Sequence, residues 1–454
     1  MSSATSAPAE SRAADRSAQA RLPRLFAGIA AEGALTLAEH VAIHGPAPQL
    51  GGRGRRAKDR AGLLIDEVQR AGLLGRGGAA FPLATKMRAV ATSRRRGIVL
   101  VNATEGEPAS LKDRTLLEAL PHLALDGGVL AAEAVGADEV IVCVCETAQE
   151  AAAGAEHAIA ERARSGAARS PKLHLATVPS HYVAGQESAL VNFLGGGPAL
   201  PTFTPPLPFE QGLRRRPTLV NNAETLAHLA LIARHGAAWF REIGTPAQAG
   251  SALVTLSGPV RHPGVYEIEH GSSLASLVHA AGGTTTHLRG ALLGGYAGSW
   301  IGAQHLDSLV LSSEHLAPLG ASLGAGVVLL LSDQACPVAE TARVARWLSG
   351  QSARQCGPCE HGLDALAGTL EDIARGAAPT REVDRLAALV ARRGACGHPD
   401  GAVNLILSAL DAFAADFAEH ARLGPCDSCS TRAELPLPHR PVNRNGSGRP
   451  GARA

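Results

Sequence analysis

Apolar and polar positions alternate along the chain in blocks of two kinds. Asp59–Ala71 carries apolar residues at three-and-four spacing and predicts a helix. Ile98–Asn102 is a short apolar run, the pattern of a buried strand, and Leu116–Val135 returns to helical spacing. Glu139–Cys145 predicts a second buried strand, Ala148–Arg164 another helix, and Lys172–Val178 a strand by simple alternation. Strands and helices in turn predict an α/β layer with a largely parallel sheet. Pro198–Pro217 breaks the pattern; its Pro205-Pro206-Leu207-Pro208 is extended chain. Asn221-Asn222-Ala-Glu-Thr225 then opens a helix to about Arg234. From Ser251 the texture changes. Ala252–Gly258, His262–Glu269 and a helix over Ser273–Ala281 predict a small β-rich module, and Cys336 to about His420 is mostly helical. Met1–Ala20 reads as a disordered leader without the apolar stretch of a signal peptide, and Ala421–Ala454, rich in Pro, Arg, Gly and Ser, as a disordered tail.

Composition narrows the function classes. A chain of 454 residues exceeds one ordinary core, so two to four domains are expected. The net charge of +2 argues against nucleic acid or an anionic membrane as partner. No apolar run reaches the ~18–20 residues of a bilayer span; the expected location is the cytoplasm, including the periphery of a membrane complex. Aromatic residues are only 3%, so each one beside a motif carries weight. In such a compartment the eight cysteines are metal ligands or core residues rather than disulfides. Cys143 and Cys145, inside a predicted buried strand, read as small hydrophobes.

Four segments carry candidate chemistry. Gly75-Arg-Gly-Gly78 precedes a helix, where successive backbone N–H groups and the helix N-terminus suit a phosphate or a ring edge. Asn102-Ala-Thr-Glu-Gly-Glu-Pro108 follows a strand directly, at the carboxyl end where ligands bind in α/β sheets. Tyr182-Val-Ala-Gly185-Gln186-Glu187 leads into a helix, and Asn221-Asn222 is a second amide pair. Cys356-Gly-Pro-Cys359, with Cys396 and His398, is the metal signal. Zinc accepts three Cys and one His, and an iron–sulfur cluster accepts the three thiolates, so the spacing leaves both open.

In this order the motifs resemble the NADH-binding flavoprotein (51-kDa) subunit of respiratory complex I and the related diaphorase subunits of NAD-linked hydrogenases and formate dehydrogenases. The likeness runs from about Leu63 to about Phe417. It rests on Gly75-Arg-Gly-Gly-Ala-Ala-Phe-Pro-Leu-Ala-Thr-Lys86, on Asn102–Pro108 with Lys112-Asp-Arg114, on Tyr182–Leu190, and on Val220–Ala227. The resemblance implies an α/β FMN-binding domain (23–245), a small β-grasp, soluble-ligand-binding-like module (246–333) and a C-terminal helical bundle carrying a metal or cluster site (334–420), between a leader (1–22) and a tail (421–454). It implies FMN held by Gly75, Arg76, Gly77, Gly78, Lys86, Asn102, Glu105, Gly185, Gln186, Glu187, Asn221, Asn222 and Thr225. NADH would meet Phe81, Glu107 and Tyr182. Cys356, Cys359 and Cys396 would hold a 4Fe-4S or 3Fe-4S cluster, with zinc as the alternative. A ferredoxin-like or other electron-transfer subunit is the expected partner.

The chain departs from the family pattern in ways that matter. Thr104 stands for an Asp, Gln186 for a Glu, Thr204 and Leu207 for a Lys and an aromatic, and Ala89 for a further Phe. Base–aromatic stacking is worth roughly 1–3 kcal/mol, so weak NADH binding is expected. Ala353 occupies the place of the family's first cluster cysteine, leaving three of four; the expectation is a three-iron cluster, a fourth ligand from Cys336, His398 or an exogenous group, or no cluster at all. Two functions follow: a flavin-dependent electron-transfer subunit accepting a hydride from NADH or another two-electron donor, or a non-catalytic assembly subunit with a zinc or empty site.

Overall fold

The computed structural model describes residues 22–29, 33–48, 50, 55–165, 171–430 and 433–438. The expected leader, apart from Leu22, lies outside these. Strands β1 (Ile98–Ala103), β2 (Glu139–Cys145), β3 (Lys172–Val178) and β4 (Thr218–Asn222) form one parallel sheet in the order β3-β2-β1-β4. The central strands β1 and β2 are buried almost throughout, whereas the edge strand β3 is exposed at every second or third position. Helices on both faces therefore demand the continuous apolar runs of β1 and β2, and solvent beside β3 permits alternation. Cys143 and Cys145 are buried and free in β2.

Helices Pro121–Val135 and Ala223–Phe240 pack together on the sheet, and helix Arg55–Ala71 packs on both of them. The first two cross at Gly127, where a β-carbon would stand 1.8 Å from the Leu226 carbonyl oxygen, so no larger residue fits. The single helix expected over Leu116–Val135 is two, Lys112–Ala119 and Pro121–Val135. The break falls at Leu120, because Pro121 lacks the N–H to continue the ladder but suits a first helical position.

A second sheet contains β5 (Ser251–Ser257), β6 (Gly264–Glu269), β7 (Leu288–Leu293), β8 (Ser299–Gly302) and β9 (Val327–Ser332), in the order β6-β5-β9-β7-β8. Only the β5–β9 pair is parallel among these described strands. Strand β9 serves two cores in alternation. Val328 and Leu330 face a cluster with the helix Leu274–Ala280, while Val327, Leu329 and Leu331 face the C-terminal helices. Those helices are Pro337–Gly350, Leu363–Ala374, Arg381–Val390, His398–Ala412 and Ala414–Leu423. Among the described residues no single helix is long and apolar enough to cross a membrane.

The expectation of a disordered tail from 421 is corrected for its described part. Helix Ala414–Leu423 runs past that point, and Leu435 is buried against the C-terminal helices. Glu434 accepts from Ser332 N at 3.0 Å, and Tyr296 donates its hydroxyl to Pro436 O at 2.6 Å. A polar composition conceals this docking, since a few buried anchors hold the segment.

Candidate flavin and cluster sites

The parallel sheet has one point where chain order reverses. From β1 the chain goes to β2 and β3 on one side, then returns to β4 on the other. Ligands of open α/β sheets bind outside the carboxyl ends of the strands flanking such a reversal. Asn102, the last residue but one of β1, pairs with Asn222 at the end of β4, and Val101 pairs with Asn221. The two amide motifs, far apart in sequence, thus stand side by side.

Most of the named residues converge there. Asn102 donates to Gly185 O at 2.8 Å and accepts from Thr104 N at 3.1 Å. Thr104, which replaces the family Asp, also donates its hydroxyl to the Asn102 amide oxygen. Gln186 accepts through Oε1 from Ser188 N and Ala189 N, capping helix Glu187–Leu194, so the loss of a charge leaves the cap working. Lys86 pairs with Glu187 and donates to Val220 O at 3.3 Å. The glycine loop lies over β4: Arg76 N donates to Thr225 Oγ1 at 2.8 Å, and a β-carbon on Gly77 would meet only Asn222 Cβ, at 3.4 Å. The Asn221 side-chain N–H group is buried with no hydrogen-bond partner among the described residues. A buried donor left unpaired at the end of β4 suits an acceptor-rich ring.

Two residues named for flavin hold the protein instead. Arg76 is buried and donates to Ser251 O at 3.0 Å, with Glu224 at 3.8 Å. Glu105 accepts from Asp113 N, Arg114 N and Ser110 Oγ, so its carboxylate caps helix Lys112–Ala119. Beneath the site lies a charge network that motif reading passed over. Lys112 Nζ reaches Glu224 at 2.8 Å, Asp113 at 3.0 Å and Asn222 Oδ1 at 3.2 Å, all of it buried or nearly so. Burial would raise Glu224, but Lys112, His228 and Arg76 outweigh it and hold the carboxyl at about 2. For Asp113 burial wins over Lys112, with the Glu105 and Glu224 charges adding to it, and its pKa rises to about 6. The sequence signal was available: Lys112 and Asp113 are adjacent charges one turn before Leu116 and Leu117 in a short helix.

The residues expected at NADH separate into two places. Phe81 is 46% exposed, its ring 6.0 Å from Lys86 Nζ at the glycine loop. Glu107 and Tyr182 meet at 3.5 Å in the seam with the C-terminal helices, where Tyr182 packs on Trp347 and His398. Glu107 accepts from Tyr296 N at 2.7 Å, and burial lifts its pKa to about 7.

Cys356, Cys359 and Cys396 line one recess together with Ala353, Gln355 and Phe203. Burial first, then the neighbouring thiols, pushes Cys359 up to about 12. Bound metal is what converts such thiols to thiolates. Two expected fourth ligands have partners of their own, with His398 Nδ1 left buried and unpaired among the described residues. His398 turns Nε2 to Leu348 O at 2.9 Å, and Cys336 lies beside His420, 3.4 Å away. Phe203, 76% exposed at the mouth of the recess, was missed; an aromatic next to a proline-rich segment in so aromatic-poor a chain was its signal.

Comparison with known proteins agrees with this geometry. The Nuo51 FMN-binding domain family matches residues 68–231, the SLBB domain family 253–291, and the NADH-ubiquinone oxidoreductase-F iron-sulfur binding region 339–420. The second F subunit of NADH-quinone oxidoreductase in Rhizobium meliloti is 32% identical over 378 residues, covering 80% of this chain and 90% of that protein. The chain belongs to the family of NADH-quinone oxidoreductase F subunits. The Escherichia coli member is 30% identical over 371 residues, covering 78% of this chain and 83% of its own. The family likeness extends to a solved structure, an NAD+-reducing [NiFe]-hydrogenase in its H2-reduced state, at TM-score 0.73 and 34% identity over 81% of this chain. The chain spans 64% of that hydrogenase chain's length.

Proposed function

We propose that this chain is the flavin-dependent entry point of an electron-transfer complex, oxidising NADH and delivering electrons singly to a partner subunit. The observation that carries the reading is the pairing of Asn102 and Asn222 at the sheet's reversal point, with the Gly75–Gly78 loop laid over Asn222. When bound, FMN supplies hydride acceptance and one-electron release, and an iron–sulfur cluster supplies single-electron transfer. The chain's own residues do the rest. Asn221 offers a buried donor to the ring, the loop's N–H groups and Lys86 meet the phosphate side, and Phe81 stands at the open face. Cys356, Cys359 and Cys396 would hold the cluster by three thiolates, Ala353 offering no fourth.

Between the two sites, Tyr182, Trp347, Tyr296 and His398 form a continuous aromatic contact. It lies where Tyr182, next to the Glu107 carboxyl, meets the C-terminal helices. A ferredoxin-like subunit is the proposed acceptor. The proposed setting is the periphery of a complex on the cytoplasmic side.

Phe81 is the aromatic left at the glycine loop, with Leu207 and Ala89 in place of two others, so NADH should bind weakly. In anaerobic stopped-flow mixing, flavin bleaching is expected to need NADH above ~0.1 mM, from a stacking loss of roughly 1–3 kcal/mol. Saturation at low micromolar NADH would show that Phe81 suffices. A colourless protein that takes up no FMN would replace this reading with a non-catalytic assembly role.

A further inference from the structure

Outside the cluster recess, four donor atoms come together that no family match includes as a set. They are Cys336 Sγ, His420 Nε2, Cys426 Sγ and Cys429 Sγ, all within 4.8 Å of one another. We propose that these residues bind a single zinc ion that fastens the C-terminal segment to the helical layer.

The geometry is that of one tetrahedral ion. With Zn–S near 2.3 Å, neighbouring donors stand about 3.8 Å apart for two thiolates and slightly less for a thiolate and an imidazole. Here Cys426 and Cys429 are separated by 3.7 Å and Cys429 and Cys336 by 3.4 Å. His420 Nε2 lies 3.4 Å from Cys336 and 3.2 Å from Cys429. A polynuclear cluster spreads its thiolates over several irons with sulfide between them, for which this spacing leaves no room. Disulfides are not the alternative arrangement, since all three cysteines are free.

The surrounding shell is built for a metal. His420 Nδ1 lies 2.7 Å from Asp416 O. A carbonyl only accepts, so Nδ1 carries the proton and Nε2 presents its lone pair to the thiols. Cys336 is buried at the start of helix Pro337–Gly350, where its sulfur also accepts from Ala339 N at 3.3 Å. Cys426 and Cys429 are a C-x2-C pair closed into a turn by Cys429 N donating to Cys426 O at 3.0 Å. Three cysteines give up their protons on binding.

The site has something to hold. Immediately beyond it Glu434 donates its N–H to Glu340 Oε1 at 2.9 Å, and Arg343 donates to Leu435 O at 2.6 Å. Pro436 O receives the Tyr296 hydroxyl, and Tyr296 N donates to Glu107. The ion thus anchors a strap whose far end supports the seam between flavin and cluster. The matched iron–sulfur region runs from 339 to 420, so Cys336, Cys426 and Cys429 all fall outside it.

The test is metal analysis of the full-length protein, purified without chelator. About one zinc per chain is expected. Cys429→Ser should lose at least nine-tenths of it while FMN and iron stay unchanged; Cys429→His, which restores a ligand, should keep it. Cobalt(II) loaded in place of zinc should give tetrahedral d–d bands and a thiolate charge-transfer band that vanish in Cys429→Ser. Trypsin should cut after Arg422 at least tenfold faster in Cys429→Ser than in the parent. If Cys429→Ser does not fold, the cobalt spectrum of the parent and the zinc content of Cys429→His decide. Absence of zinc after purification and after addition of Zn2+ would overturn the proposal. So would zinc unaffected by Cys429→Ser, or iron that falls with it.

Discussion

Gly77 lies outside the left-handed region of φ, and an added β-carbon would touch only Asn222 Cβ at 3.4 Å. The fold tolerates a side chain there; the space over β4 does not then stay open for a ring. Gly77→Val is therefore expected to fold normally by circular dichroism yet hold less than about a tenth of the parent's FMN, since a branched side chain fills the flavin's place. Full FMN occupancy would remove the loop from the site. Glu107 makes a second prediction at this scale. Its pKa is about 7 in the fold, chiefly from burial, against about 4.3 in an unfolded chain. Between those values the folded protein keeps a proton that the unfolded chain has released. Its contribution to stability therefore falls as pH rises through that window and levels off above about 7. Glu107→Gln stays neutral throughout. The stability of the parent relative to this variant, from urea unfolding, should drop by about 1–3 kcal/mol between about pH 5 and 8. A difference independent of pH would mean that Glu107 is ionised across the range.

Helix Ala223–Phe240 is the element on which the flavin site depends. Its N-cap is Asn222, which accepts from Glu224 N at 3.1 Å while its amide donates to Asp113 at 2.6 Å. The cap that starts the helix is thus the residue that pairs with Asn102 across the strands, and Lys112 ties both to helix Lys112–Ala119. Lys112→Met would leave Asp113 and Glu224 buried without their main cation. Breaking one partner from a buried ion pair typically costs about 3–5 kcal/mol. A loss of about 3 kcal/mol in urea unfolding is expected, with flavin released before global unfolding because Asn222 is freed first. A variant as stable as the parent would show that the carboxyls simply take up protons. The break at Pro121 belongs to the same scale: apolar spacing ran through it, and only the proline marks the boundary between two helices.

Across the whole molecule, electrons are proposed to enter at the sheet's reversal point and leave through a cluster at Cys356, Cys359 and Cys396. Three thiolates and Ala353 predict a cluster with one loosely held iron. Anaerobically prepared, reduced protein should give a paramagnetic resonance signal that changes on exposure to air, and Cys359→Ser should abolish it. Zinc at Cys336, His420, Cys426 and Cys429 must be counted separately, because a zinc reading in the whole protein does not by itself speak for the recess. A signal that survives Cys359→Ser would place the cluster on other ligands.

The elements were legible because their information is local. The apolar runs of β1 and β2, the alternation of β3 and the glycine loop before its helix each require only neighbouring residues to be read. The motif at Val220–Ala227 likewise named Asn221 and Asn222 as site residues. What these patterns do not contain is long-range proximity. Cys336 and Cys429 lie 93 positions apart, and Lys112 and Asn222 lie 110 apart. Nothing in either segment alone says that a thiol meets a thiol or an ammonium meets an amide. Chain reversal at the sheet brings Asn102 to Asn222, and the return of the C-terminal segment over β9 brings Cys426 and Cys429 to Cys336. The sequence by itself named the candidate flavin and cluster residues and the helices and strands of the first sheet except β4 and the break at Pro121. Tertiary structure alone decided that Arg76 and Glu105 have protein partners, that His398 Nε2 bonds Leu348 O and Cys336 meets His420, and that a polar tail is an anchored strap. Those outcomes depend on which buried donors and acceptors the packing leaves to pair.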